Sequence, residues 1–82
     1  MEEDKANYSY EDELKDAVRK FERMKKNNEN YFFDVIEFEN IIDYYIESNN
    51  SIKAFEAATL ASEQHPNSVS IQLRKARVLL DR

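Results

Sequence analysis

The sequence contains no cysteine, no glycine, no tryptophan and a single proline. Without cysteine there is no disulfide, no thiolate nucleophile and no cysteine-ligated zinc. Without glycine there is no phosphate-cradling loop of the dinucleotide or P-loop kind. The Asn-Gly hairpin turns of strand-rich folds are missing too. The one histidine, His65, cannot form a histidine metal site or a histidine pair. No apolar run approaches the roughly 20 residues of a membrane helix, and the start Met1-Glu2-Glu3-Asp4 is acidic rather than signal-like. Basic charge is in deficit, with 12 Lys and Arg against 17 Asp and Glu, net −5. A nucleic-acid binder leans the other way. What 82 residues leave room for is one small helical domain, soluble and cytoplasmic, with no metal, no cofactor and no membrane expected.

Charge and hydropathy are patterned along the chain. Residues 1–50 carry net −7 and residues 51–82 net +2. Residues 1–8 read as a flexible acidic tail. From Ser9, a hydroxyl cap followed by Asp12, the apolar residues Tyr10, Leu14, Val18 and Phe21 recur at helical steps, with Ala17 and Met24 flanking. That predicts a helix over about 10–26. Asp16/Lys20 and Glu22/Lys26 are spaced for ion pairs on its outer face. Most of the asparagines (27, 28, 30, 49, 50 and 67) fall at three junctions. In a chain without glycine, asparagine is the residue that tolerates the left-handed turn ending a helix. Asp34 with Glu37 spells a capping box and opens a second helix over about 34–48. Asn50 caps a third over about 51–64, which Pro66 stops. A fourth, about 68–81, is apolar around most of its circumference through Val69, Ile71, Leu73, Ala76, Val78, Leu79 and Leu80. Such a helix expects neighbours on two sides. The aromatic run Tyr31-Phe32-Phe33 is expected to plug the gap between the first helix and the rest.

The second and third helices carry a more specific spacing. Phe38, Ile41, Ile42 and Tyr45 lie on one helix; Ala54, Ala58 and Ala61 lie on the next, followed by Pro66. This resembles the 34-residue tetratricopeptide repeat (TPR), in which large residues of the first helix lock against small residues of the second and a proline ends the pair. Three positions depart from the pattern. Ile42 stands for a small residue, Ala58 for a bulky one, and Asn49-Asn50 for the frequent Gly-Asp. Ile42 with Ala58 is expected to be an exchange of volume across the pair. The resemblance divides the chain into a tail (1–8), a capping helix with its aromatic loop (9–33), a TPR-like helix pair (34–67) and the first helix of a following, truncated repeat (68–82). It implies an all-α fold of antiparallel helix hairpins, stacked as a short right-handed α-α superhelix of about four helices.

Repeats of this kind bind proteins or peptides on a concave face. Carried onto this chain, the resemblance places Ile36, Glu39, Asp43 and Ile46 of the second helix on that face. From the fourth helix come Ser70, Leu73, Arg77 and Leu80. With Glu39 and Asp43 in the groove, a carboxylate ligand would be repelled, and a basic or mixed apolar-basic segment is expected instead. No catalytic residue is assigned. Glu37, Glu39 and Asp43 are close in sequence, but acid–base chemistry needs an enclosed site that separates their pKa values. The alternative is a self-associating module that pairs with a second copy through the apolar fourth helix.

Overall fold

The computed structural model describes residues 10–80. The acidic tail at 1–8 and the Ser9 cap lie outside them. The fold is all-α, with four helices and no strand among the described residues. They are α1 (Tyr10–Asn27), α2 (Val35–Glu47), α3 (Ser51–Gln64) and α4 (Val69–Leu80).

Each helix is delimited by side chains that satisfy its open ends. The first turn of α1 is acidic (Glu11, Asp12, Glu13) and its last turn basic (Lys25, Lys26), both complementary to the helix dipole. Asn28 then takes a left-handed φ of 56°. The Asn28 amide donates to Lys25 O and the Glu29 amide to Met24 O, which is the Schellman pattern. Asn49, with φ 59°, ends α2 in the same way, through bonds from the Asn49 amide to Ile46 O and the Asn50 amide to Tyr45 O. The adjacent Asn50 turns to the opposite task and caps α3, accepting from the Lys53 amide at 3.1 Å. One Asn-Asn dipeptide therefore closes one helix and opens the next. At α2 the capping box forms in full: the Glu37 amide donates to Asp34 Oδ1 and the Asp34 amide to Glu37 Oε1. The third junction does without a left-handed residue. Pro66 and Asn67 sit in a turn closed by the Ser68 amide on His65 O, and Ser68 Oγ caps α4 by accepting from the Ile71 amide.

α2 is the central element. It packs on α1, α3 and α4, while α3 packs on α4. The short links after α2 and α3 turn the chain back each time, so α2 and α4 run parallel, side by side, with Glu39 beside Ser70 and Asp43 beside Arg74. Phe38, Ile41, Ile42 and Tyr45 of α2 are buried against Ala54, Ala57, Ala58 and Ala61 of α3. The alanines let the α3 backbone lie close to its neighbours. Ile42 and Ala58 are both fully buried in that core. α1 adds Ala17, Val18, Phe21 and Met24. α4 contributes only Ile71 and Val78, so far less of it is covered than its composition suggests.

The aromatic run divides by residue. Phe33 is fully buried and Phe32 exposed. The Phe33 ring sits 5.1 Å from Phe38 and 6.1 Å from Phe21, centroid to centroid, bridging α1 and α2. Residues 31–33 are extended, and the end of α3 satisfies their backbone. Gln64 accepts from the Phe33 amide at 3.0 Å and donates to Tyr31 O at 2.8 Å. His65 Nε2 donates to Phe33 O at 2.7 Å; the carbonyl can only accept, so Nε2 carries the proton.

Candidate functional site

The positions expected to share one face lie on α2 and α4, and the structure sorts them into two main groups, with Ile46 and Ile36 outside both. Glu39, Asp43 and Ser70 meet at the seam between the parallel helices. Ser70 Oγ donates to Glu39 Oε2 at 2.6 Å. Arg74, a residue the sequence pattern does not single out, forks onto Asp43 with Nε and Nη2 at 3.0 Å each. Its remaining nitrogen lies 3.7 Å from Glu39 Oε2. This two-pronged geometry is the strong form of the Arg–carboxylate contact. The negative charge expected to attract a basic segment is thus already engaged within the chain.

The second group points outward. Leu73 and Leu80 of α4 are 66% and 84% exposed, and Val69, which was not among the expected positions, lies on the same side of the helix at 72%. Arg77 is exposed beside them. Ile46 is half-buried and lines a hollow of about 300 Å³ with Asn49, Ser51, Ala54 and Val78 at the end of the α2–α3 hairpin. Ile36 lies apart from α4. It is exposed in a groove of about 460 Å³ between α1 and α2, lined by Glu13, Asp16, Lys20, Asp34 and Glu37 among others. The Lys20 ammonium there donates to Phe32 O at 3.0 Å, lies 3.6 Å from Glu37 and sits 4.4 Å over the Phe33 ring. It ties the aromatic loop to both helices.

Several further polar groups also hold helices together. Tyr45 donates to Glu22 Oε2 at 2.7 Å, and Lys53 sits 3.7 Å from the same carboxylate. Burial, reinforced by the Glu22 carboxylate, pushes the Tyr45 phenol well above the ordinary tyrosine range. The exposed Tyr31 phenol is raised chiefly by its hydrogen bond to Glu29. Lys25 and Glu56 form a further pair between α1 and α3 at 3.6 Å. His65 is framed by Phe32 and Phe38, with ring centroids 5.4 and 5.8 Å away. Glu37 serves the α2 cap and Lys20, while Glu39 and Asp43 serve Arg74. Among the described residues no cluster of three or more His, Asp or Glu side chains could hold a metal ion, and no helix is long and apolar enough to cross a membrane.

Arg74 and Gln64 are the two residues that organise these contacts and that sequence patterning passes over. Both act across about 31 residues of chain. For Arg74 the available signal was its spacing from Leu73 and Arg77, which turns it toward α2. For Gln64 there was none, because an amide side chain at a helix end is compatible with solvent. No family model, curated protein or solved structure matches this chain.

Proposed function

We propose that this chain is a non-catalytic protein-interaction module of the tetratricopeptide type, working in a reducing compartment such as the cytoplasm. Three features support the repeat reading. Val35 and Val69, where α2 and α4 begin, lie 34 positions apart, the period of that repeat. α2 and α4 run parallel, as first helices of successive repeats would. The alanine ridge of α3 lies in the core beside the large residues of α2.

The observation that carries the interaction function is the uncovered apolar row on α4. Val69, Leu73 and Leu80 are each about two-thirds or more solvent-exposed. Side chains of this size in an unbroken row along a helix mark a binding surface. Arg74 ties up both Glu39 and Asp43 and offsets one of their two charges, so the apolar row, more than the carboxylates, is taken as the main attraction for a ligand. Arg77 at the edge of the row favours acidic groups on the partner's flank. The mode is an amphipathic helix laid along a helical face.

The test is an NMR titration of the folded chain with a synthetic amphipathic helical peptide, leucines at heptad spacing and glutamates on the flanks. Saturable shifts centred on Val69–Leu80, with affinity weakened at least about tenfold by Leu73→Glu, support the reading. Shifts confined to α1, or none at millimolar peptide, refute it.

A further inference from the structure

The groove between α1 and α2 differs from the α4 row in its charge. Its walls carry the carboxylates of Glu13, Asp16, Asp34 and Glu37 against the single ammonium of Lys20. That ammonium is committed to the Phe32 carbonyl, the Phe33 ring and Glu37, so it offsets one carboxylate and leaves the others in excess. Asp16 meets Arg19 at the rim, 3.5 Å away, with both side chains more than half exposed, and such pairs contribute little. An apolar contact accompanies the acids: Ile36 lines the groove yet stays 66% exposed, near the buried Ala17. A hollow, an uncovered apolar side chain and unbalanced negative charge coincide here. The geometry points to a docking site for a segment of a partner protein that carries an arginine beside a bulky apolar residue. This surface is separate from the α4 row and does not depend on it.

The chemistry of the walls selects the occupant. At about 460 Å³ the groove has the volume of a small-ligand pocket, which is too roomy for a bare ion. Its carboxylates do not converge: among the described residues no three His, Asp or Glu side chains could hold a metal ion. A guanidinium answers to that layout, because its donors spread over a planar fork and serve carboxylates that stand apart. A carboxylate ligand would be repelled. Beside the arginine, a leucine-sized side chain gains by covering Ile36, which water otherwise surrounds. Docking need not open α2. Its cap uses one oxygen each of Asp34 and Glu37, and a carboxylate accepts at both of its oxygens. Those two charges also offset the positive start of α2, so Glu13 and Asp16 on α1 carry most of the attraction.

An NMR titration of the folded chain tests this with short synthetic peptides that alternate leucine with arginine, leucine with glutamate, or serine with arginine. The leucine–arginine peptide should bind saturably, with amide shifts centred on Glu13–Lys20 and Asp34–Asn40. The other two should bind there at least about tenfold more weakly. Affinity for the first peptide should fall at least about tenfold in the Glu13→Gln, Asp16→Asn double variant and about threefold or more in Ile36→Ser. It should also fall as salt rises from about 50 to about 300 mM, because screening shortens the reach of the carboxylates. Circular dichroism checks that each variant keeps the parent helix content. A diffuse attraction of arginine to an acidic chain would overturn the inference; it would spread shifts over the other acids of α1 and α2 and ignore Ile36→Ser. Shifts centred on Val69–Leu80, or no saturable binding at millimolar peptide, would overturn it too. Sedimentation of the protein alone covers the remaining occupant: self-association abolished by the double variant would give the groove to a second copy and sink the partner segment. The two surfaces fail separately, since the α4 reading is tested with glutamate-flanked peptide and the groove with arginine.

Discussion

Asn49 shows how much one side chain can decide in a chain without glycine. Its φ of 59° is costly for most residues, by roughly 1–2 kcal/mol. Asn49→Ala should lower stability by about 1 kcal/mol in urea unfolding, while Asn49→Gly should stay within about 0.5 kcal/mol of the parent. Thr59 makes the opposite point. Its hydroxyl is buried and finds no partner among the described residues, so the isosteric Thr59→Val should raise the melting temperature, by up to about 1 kcal/mol of stability. Tyr45 links a residue to pH. The fold favours its neutral phenol, first by burial and then through Glu22. Its contribution is complete below the unfolded-state value of about 10 and is lost as pH rises beyond it. Absorbance titration should therefore find one tyrosine ionising only as the chain unfolds. Tyr45→Phe should cost about 1 kcal/mol at neutral pH and blunt the alkaline loss.

Between elements, the α2–α4 seam is the contact most open to dissection. Arg74 holds Asp43 with two bonds at 3.0 Å and reaches Glu39. Removing it leaves two carboxylates one helical turn apart with their shared cation gone. Arg74→Ala should cost about 1–2 kcal/mol, and a double-mutant cycle with Asp43→Asn should recover a coupling of at least about 0.5 kcal/mol. Arg74→Lys should restore only part of it, since lysine lacks the fork. The α2–α3 contact responds to volume instead. Ala61→Leu should destabilise by about 1–3 kcal/mol, because the ridge of alanines leaves no room for a larger side chain. This is also the scale at which the sequence is most legible. α3 runs over the expected residues and the other helices lie within a residue or so of them, because asparagine turns, capping box and proline act on neighbours a few positions away. The seam was not legible. Whether Glu39 faces solvent or Arg74 depends on the parallel register of two helices 34 positions apart, which no local spacing encodes. The fourth helix shows the same limit: its composition implies burial nearly all round, yet Ile71 and Val78 alone enter the core.

For the whole molecule, the two ends differ in kind. α1 closes one end with a charged outer face, and α4 leaves the other end apolar. That difference is why the proposed apolar binding surface is placed on one side of the stack only. The clamp on the aromatic loop ties the halves together. Gln64 and His65, at the end of the third helix, hold the backbone that follows the first. The Phe33 amide thus donates to a side chain 31 positions away rather than to its own neighbourhood. Exchange with deuterium at that one site becomes a gauge of cooperativity: its proton can leave only when the first and third junctions part company. A rate matching that of the core amides of α2 would mean that the four rods melt as a single unit.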